Sequence, residues 1–341
     1  MTANKKPLSM RDIADLAGVS VATVSRVINN NGRFSEETRK RVQKVIDEND
    51  YVTNMAAKSL RQSRTKTIGI IVPDISNDFY STLALHAEQR LARDGYSVFV
   101  CNDANDLGRE RNYIRSLASK RVDGIICISG SNALSEGIVP ENIPVVCVDR
   151  YSKDNAHIPR VISDDVRGGR IATEHLINQG CRHILLLSSL ANDINKLHRE
   201  QGYRMALESS GLPWDERYCV RTSGIMPVME EANEIVGGFL GQGLPLDGIF
   251  AVSDHAAVGA LQALKKAGVE VPNEVRIVGY DDSVYTRITS PSITSIRRYP
   301  GQMAVRGCEV LLKLIQDEKP EPELETVVPV SLVKRQSTLL S

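Results

Sequence analysis

The stretch SMRDIADLAGVSVATVSRVIN, residues 9–29, decides how this chain begins to fold. Ser9 and Asp12 have the spacing of a capping box, which predicts that a helix begins at Met10. Gly18 supplies a turn, and Ser20 can cap a second helix. The spacing by itself is typical of an ordinary helical hairpin, so the side chains of the second helix have to decide whether it does more.

The second helix is expected to present small and hydroxyl side chains with one cation. Its outward face consists of Val21, Ala22, Thr23, Ser25 and Arg26 and carries no acid, a combination that fits the major groove of DNA. Up to Lys66 the chain has thirteen Lys and Arg against seven Asp and Glu, a net charge of +6, and the remainder carries −6 because the whole chain is neutral. A basic helical head before an acidic body favours a DNA-binding protein.

Two further helical segments follow in the head. A third helix is predicted from Ser35, with acids in its first turn where the helix dipole favours them. Its cations, which can reach DNA phosphates, are Arg39, Lys40, Arg41 and Lys44. Residues 54–61, NMAAKSLR, form a short helix-prone segment that is expected to order only against DNA or a second copy of the chain.

From Thr67 onwards, apolar runs alternate with segments of helical periodicity. Strands are predicted at 68–72, 98–101, 124–128, 145–148, 184–187, 219–221, 248–252, 276–279, 293–296 and 326–333. Helices are predicted at 79–93, 108–119, 132–138, 166–179, 199–210, 228–240, 255–267 and 301–316. This alternation occurs twice, and it predicts an α/β body of two doubly wound lobes behind an all-α head.

Polar residues gather where four of the predicted strands end, in IVPDISNDFY, VDRY, VSD and VGYDD. Ligands of such sheets bind beyond the carboxyl ends of the strands. Carboxylates, amides and hydroxyls beside aromatic rings suit a polyhydroxylated ligand. For Asp74 or Asp254 taken alone, a role in a turn or a helix cap is an equally good interpretation.

Several classes of protein are disfavoured. The sequence has no G-x-S-x-G, H-E-x-x-H or P-loop motif, its histidines and six cysteines lack metal-ligand spacing, and we expect no enzyme, metal or cofactor. It has no signal peptide and no apolar run of about 20 residues, which predicts a cytoplasmic protein without a membrane span. A sugar-transport protein would need a signal peptide and would lack the basic head.

Residues 10–29, NNNGRFSEETRKRVQKVIDENDYVTN and MAAKSL resemble the DNA-binding head of the LacI family of bacterial repressors. The similarity continues in IGIIVPDISNDFY, KRVDGIICI, IPVVCVDR, HREQGY, VSDHAAVGAL, VPNEVRIVGYDD and PSITSI. It implies a head at 1–62, with a helix-turn-helix at 10–29 and a hinge helix at 54–61, and a periplasmic-binding-protein-like body at 66–341. The first lobe would comprise about 67–162 with 293–323 and the second about 163–290 with 324–341, joined by three crossings around a cleft.

The resemblance implies double-stranded operator DNA as a partner of a homodimer or a dimer of dimers. The DNA-binding positions would be Ser20, Val21, Ala22, Thr23, Ser25, Arg26, Asn29, Asn54, Ala57, Lys58 and Leu60. Among them, Val21 and Ala22 choose bases, Arg26 anchors a guanine and Leu60 wedges into the minor groove. Thr53 stands where the family usually has Pro, which predicts a looser hinge.

The second implied partner is a small sugar or sugar phosphate that controls operator affinity, as inducer or as corepressor; a response to a partner protein is the alternative. Its site would comprise Asn77, Phe79, Tyr80, Asp149, Arg150, Arg199, Ser253, Asp281 and Arg298. Ser253 and Arg298 depart from the amide and the Gln that are common there. The extra arginine requires an anion, either an internal one such as Asp74 or Asp254, or a phosphate on the ligand. We expect a neutral pentose, hexose or fructoside first and a phosphorylated sugar second.

Overall fold

The computed structural model of the chain describes residues 8–49, 51, 64–128, 134, 138–140, 142–151, 157–189, 194–316 and 324–339. The expected hinge helix, with Asn54, Ala57, Lys58 and Leu60, lies outside these residues, as does most of the helix expected at 132–138. Contacts divide the chain into two compact units, residues 1–65 and residues 66–341. No helix in the described ranges is both long and apolar enough to cross a membrane.

The described part of the first unit contains helices α1 (Met10–Ala17), α2 (Val21–Ile28) and α3 (Glu36–Glu48). The capping box of α1 is present, and Gly18 ends the helix with a left-handed φ of 63°. The buried residues that join the three helices are Ile13, Ala14, Ala17, Val24, Val27 and Val42. Leu16 of α1 is outside this core and is 58% exposed.

The second unit contains twelve strands among its described residues. They are β1 (Thr67–Val72), β2 (Ser97–Asn102), β3 (Gly124–Cys127), β4 (Val145–Val148), β5 (Arg160–Ser163), β6 (Ile184–Ser189), β7 (Cys219–Thr222), β8 (Gly248–Ala251), β9 (Arg276–Asp281), β10 (Thr294–Arg297), β11 (Glu325–Val328) and β12 (Ser331–Val333). The helices are α4 (Asp78–Ala92), α5 (Leu107–Ser119), α6 (Asp165–Asn178), α7 (Ile194–Ser209), α8 (Val228–Leu240), α9 (Asp254–Lys266), α10 (Tyr285–Ile288) and α11 (Pro300–Ile315).

These strands form two six-stranded sheets, which confirms the two doubly wound lobes. The first sheet has the order β11-β5-β4-β3-β1-β2 and the second the order β12-β10-β9-β8-β6-β7. Their described pairings are parallel, except that β12 runs antiparallel to β10. The chain crosses between the sheets after β5, after β10 and after β11.

The expected lobe boundaries need two corrections. β10 pairs with β9 and belongs to the second lobe, whereas residues 293–323 were assigned to the first. β11 pairs with β5 and belongs to the first lobe, whereas residues 324–341 were assigned to the second. The second and third crossings each lie one strand later in the chain than predicted, after β10 and after β11, whereas the first follows β5, close to where it was predicted.

Two strands differ from the predicted pattern for local reasons. β5 was not predicted, because its sequence, RVIS, has polar residues at both ends and only Val161 and Ile162 as an apolar run. The single strand expected at 326–333 is two strands, β11 and β12, that belong to different sheets. Pro329 lies between them, and its missing N–H breaks the ladder where the chain changes lobes.

Candidate nucleic-acid interface and effector cleft

Five side chains were predicted to face outward from α2, and three of them are exposed. The other two, Thr23 and Ser25, are half-buried. Val21, Ala22 and Arg26 are exposed. Ser20 caps the helix by accepting the Thr23 N–H at 3.1 Å, and the two hydroxyls also bond to each other at 2.9 Å. These two hydroxyls therefore shape the start of the helix as well as facing outward.

The end of α2 is fixed by a side chain as well. The Asn29 amide donates to the backbone carbonyl of Ser25 at 2.8 Å, and Ser25 itself is half-buried. On α3, Arg39 and Lys44 each lie 3.7 Å from an acid on their own helix. These pairs are exposed and weak, so both cations can exchange an acid for a phosphate.

A cavity of about 350 Å³ lies between the two lobes of the second unit. The first lobe contributes the start of α4 and the first residue of α11, and the second contributes the ends of β9 and β10 and the start of α9. The lining residues are Asn77, Asp78, Phe79, Thr82, His255, Asp281, Asp282, Ser283, Val284, Arg287, Arg297, Arg298 and Pro300. Of the nine residues predicted for the effector site, Asn77, Phe79, Asp281 and Arg298 are in this lining.

Arg298 lies at the crossing between β10 and α11 and contacts both lobes. Its guanidinium forms an ion pair with Asp149, donates to Ser163 Oγ at 2.9 Å and reaches Asp281 Oδ1 at 3.4 Å. The same group lies 3.8 Å from the centroid of the Phe79 ring. Burial lowers the pKa of Arg298 to about 9, so the guanidinium remains a cation at neutral pH and needs this carboxylate.

The internal partner of Arg298 is therefore Asp149, and neither proposed candidate was right. Asp74 accepts the N–H and the hydroxyl of Ser76 in a local turn. Asp254 is fully buried and accepts Ser295 Oγ at 2.7 Å and the Ser283 N–H at 2.6 Å. Both side chains already accept hydrogen bonds from residues of their own lobe.

Asp149 joins the lobes through a second bond. It follows β4 with a left-handed φ of 74° and is 1% exposed. Its Oδ1 accepts the Asn195 amide, on α7 of the other lobe, at 2.9 Å. Its Oδ2 is buried and has no hydrogen-bond partner among the described residues. Asn195 was missed by the sequence analysis, although it lies one helical turn before Arg199, a spacing that places both on one face of α7.

Arg199 is also buried with a carboxylate of its own. It donates to Asp165 Oδ1 at 2.9 Å and to the Val252 carbonyl at 2.7 Å, and it lies 3.8 Å from the centroid of the Tyr280 ring. Burial opposes its charge, but Asp165, Tyr280 and Asp281 together outweigh burial and raise the pKa of Arg199 above its usual value. Asp165, the first residue of α6, was not predicted as part of the site.

Close packing of α6 against α7 sets the backbone of Arg199. A Cβ on Gly169 would lie 2.1 Å from the Arg199 carbonyl oxygen, and one on Gly202 would lie 2.1 Å from the Val166 carbonyl oxygen. Only glycine allows two helices to approach at these points. The buried arginine is thus positioned by glycines on both helices.

Asn77, which is in the lining, and three predicted residues outside it, Ser253, Arg150 and Tyr80, support the cleft. Asn77 and Ser253 cap α4 and α9 by accepting the N–H groups of Phe79 at 3.0 Å and Ala256 at 3.3 Å. Arg150 donates to Asn105 Oδ1 at 2.9 Å and lies 5.3 Å from the centroid of the Tyr80 ring. These contacts keep Arg150 and Tyr80 together on the first lobe.

Asp281 is one of three acids in the cavity lining, with Asp78 and Asp282. It ends β9 with a φ of 111°, and its side chain is 17% exposed. Burial raises its pKa well above the usual value, and the neighbouring Asp254 adds to the shift against the opposing charge of Arg199. Burial likewise raises the pKa of Asp254 to about 7. A ligand hydroxyl can bond to Asp281 whether the carboxyl is charged or neutral.

Comparison with known proteins identifies both units. Residues 9–54 match the model of bacterial regulatory proteins of the lacI family, and residues 173–338 match that of the periplasmic binding protein-like domain. The HTH-type transcriptional regulator DegA of Bacillus subtilis is 34% identical over 334 residues, covering 96% of this chain and 97% of that protein. The ribose operon repressor of Halalkalibacterium halodurans is 34% identical over 330 residues, covering 97% of each chain.

Solved structures give the same picture. The lac repressor dimer bound to operator and the anti-inducer ONPF has a TM-score of 0.88 at 25% identity, covering 98% of this chain and 100% of that one. A periplasmic binding protein/LacI transcriptional regulator from Alkaliphilus metalliredigens, complexed with D-xylulofuranose, has a TM-score of 0.69 at 32% identity. That match covers 81% of this chain and 100% of the other.

Proposed function

Since this chain belongs to the LacI family of bacterial regulatory proteins and is a DNA-binding transcriptional regulator, we propose that it represses genes of sugar metabolism and that a small neutral sugar controls its operator affinity. It acts in the bacterial cytoplasm, as a regulator and not as an enzyme. The effector works either as an inducer or as a corepressor, and operator titrations with and without the sugar give the sign.

DNA reading is assigned to α2 in the major groove. Val21 and Ala22 face the bases, Arg26 bonds a guanine, and Ser20, Thr23, Ser25 and Asn29 hold or flank that face. Two heads of a homodimer read the two halves of a pseudo-palindromic operator, in line with the operator-bound dimer of the lac repressor. In the hinge, Asn54, Ala57 and Lys58 contact DNA and Leu60 enters the minor groove, as the family resemblance implies.

The charge balance of the cleft is the observation that favours a neutral sugar over a phosphorylated one. Arg298 and Arg199 are both buried, and each is already paired with a carboxylate, Asp149 or Asp165. A ligand phosphate is therefore not needed to balance either cation. Sugar hydroxyls can instead bond to the side chains of Asn77 and Asp281, which line the cavity.

A second candidate, a phosphorylated sugar, is favoured by one observation. Arg287 lines the cavity, is exposed, and forms no ion pair with any residue in the described ranges. It is a free cation at the cavity wall and can bind a phosphate in bidentate fashion. Arg297, its neighbour in the lining, is paired with Asp282 at 2.6 Å.

Isothermal titration of each neutral sugar against its phosphate ester, on wild type and on Arg287→Gln, separates the two candidates. A neutral effector binds both proteins with the same Kd. A preference for the ester that disappears in Arg287→Gln overturns the neutral sugar in favour of the second candidate. Arg115→Gln, an exposed arginine on α5 outside the cavity lining, is the matched control. Arg298→Gln is a poorer test, because it leaves Asp149 buried without its cation.

A thermal-shift screen of pentoses, hexoses and fructosides, with their phosphates, identifies the ligand. The hit should lose its shift on Asp281→Ala, while operator binding without ligand persists. If the ligand found in the screen leaves the operator affinity unchanged, the proposed coupling is wrong. Two coupled ligands, here the sugar and the operator, must each change the affinity of the protein for the other.

A further inference from the structure

The turn that ends α2 folds back along the helix. Asn30 is left-handed, with φ of 47°, and its N–H donates to the Val27 carbonyl at 3.2 Å. The Asn31 N–H donates to the Arg26 carbonyl at 3.0 Å. This pair of bonds is a Schellman motif with asparagine in the left-handed position. It returns the chain to the last turn of the helix, where Arg26 is.

Gly32 follows this turn and lies against the stem of the Arg26 side chain. A Cβ on Gly32 would be 3.3 Å from Arg26 Cδ, 3.5 Å from Cγ and 3.6 Å from Nε. The shortest of these is tighter than about nine in ten real Cβ contacts, so an added Cβ would shift the stem by a few tenths of an ångström. The missing Cβ leaves a notch, and the arginine stem occupies it.

Nothing else in the described head holds Arg26 by its charge. It is exposed and forms no ion pair with a carboxylate in the described ranges. A free arginine has many rotamers, and it must give up that freedom when its planar fork bonds to a guanine edge. An arginine whose stem is already confined loses less conformational entropy on binding, and its guanidinium points in one direction.

We propose that Gly32 is a positioning residue for sequence reading, which sets the direction in which Arg26 meets its base. This inference rests on the proposed role of α2 in the major groove. It assigns a part in base specificity to a residue that follows the helix and that itself offers no group to a base.

Gly18 provides a matched control. It also ends a helix of the head with a left-handed φ, 63° against 93° for Gly32, but a Cβ there would meet no atom within 4 Å. Gly18→Ala thus has a comparable backbone cost without any effect on Arg26. Asparagine tolerates left-handed backbone better than alanine does, so Gly32→Asn adds the Cβ with less strain.

The experiment selects DNA from a library of duplexes randomised over about 20 base pairs, enough for two half-sites, using the full chain. Arg26→Ala should lose its preference at one base pair in each half-site by about tenfold or more. Gly32→Ala and Gly32→Asn should lose preference at that same pair, by about threefold to tenfold, and Gly18→Ala should select the wild-type sequence. Adding Gly32→Asn to Arg26→Ala should change nothing further.

The outcomes separate the two claims. If Arg26→Ala selects the wild-type sequence, the assignment of α2 is wrong and the role of Gly32 falls with it. If Arg26→Ala loses its base pair while both Gly32 variants keep it, only the positioning role is overturned. If adding Gly32→Asn to Arg26→Ala reduces the base preference further, that role is also overturned, because Gly32 would then affect specificity through a residue other than Arg26.

Discussion

The arginine of α2 and the arginines of the effector cleft are the same residue type in opposite environments. Arg26 is exposed and has no carboxylate partner among the described residues, so its hydrogen-bond donors remain available. Arg298 and Arg199 are 4% exposed, and each is paired with a buried acid. An exposed cation can recognise a partner outside the protein, whereas a buried one is committed to its fold. Changes to the second kind should therefore cost stability, and changes to the first should cost recognition.

The largest effect is expected from Asp149→Ala. The variant leaves the Arg298 cation buried without its partner, which should lower the free energy of unfolding of the body by about 3–5 kcal/mol. Urea denaturation of the full chain, followed by the fluorescence of Trp214, the single tryptophan, which lies in the body, measures it.

The control for this prediction removes both charges. The double variant Asp149→Ala, Arg298→Met should recover most of the lost stability, since an apolar replacement of a buried pair is often neutral. If the double variant is as unstable as the single one, the loss comes from packing, and the contrast between committed and free arginines is weakened.

The next effect concerns the helix contact that positions Arg199. Gly169→Ala would place a methyl group 2.1 Å from the Arg199 carbonyl oxygen and should cost about 2–3 kcal/mol by forcing α6 and α7 apart. Gly237→Ala on α8, where a Cβ meets nothing within 4 Å, should instead gain about 0.5–1 kcal/mol. Equal stability changes in thermal denaturation would show that the close contact does not constrain the helices.

Arg26→Ala tests the exposed side of the comparison. It should leave the thermal midpoint unchanged and cost about 1–3 kcal/mol of operator binding at a single base pair. Lys44→Ala should weaken all sequences alike and flatten the dependence of log Kd on log salt. Fluorescence anisotropy with operator and scrambled duplexes distinguishes the two, and a destabilised head in Arg26→Ala would contradict its being free.

The last prediction is a dependence of stability on pH, which is a small effect for each pH unit. The folded pKa of Asp254 is raised from 3.8 to about 7 by burial, so the native state holds a proton that the unfolded state releases. Stability should be full below about pH 4 and should fall as the pH rises to about 7, by up to about 1.4 kcal/mol per pH unit. The raised pKa of Asp281 acts in the same direction.

The control for this pH dependence is Asp215, a partly exposed acid whose pKa is shifted in the opposite direction. Asp254→Asn should flatten the slope of unfolding free energy between pH 4 and 7. Asp215→Asn should not, because hydrogen bonds from Arg217 lower the pKa of Asp215 and any effect lies at more acidic pH. If the slope of the unfolding free energy persists in Asp254→Asn, other titrating groups are responsible for it.

Local spacing was enough to predict the head. The capping box at Ser9, the turn at Gly18 and the cap at Ser20 act within four residues, so the sequence contains all of the information that they need. The strands of the body were visible for the same reason, since buried runs such as IGIIV are continuous.

The cleft depends on contacts between distant parts of the chain, and there the sequence was less informative. Asp149 is 149 positions from Arg298, and nothing at either position indicates which of several acids the arginine will meet. The partner became apparent only when the crossing after β10 placed Arg298 beside the end of β4. Likewise, Pro329 signals a break, but only strand pairing shows that the chain changes lobes there.

The three crossings have a consequence for synthesis on the ribosome. The helices of the head are complete by residue 48, whereas the first sheet gains its edge strand β11 only at residues 325–328. Helix α11, which packs Met303, Cys308 and Leu311 into the core of that lobe, also emerges late. At translation rates of about 5–20 residues per second, the first lobe waits on the order of ten seconds with an open strand edge and one bare apolar face. All of the second lobe except its edge strand β12 is made during this wait. The helices of the DNA-binding head are therefore complete well before either lobe of the body is.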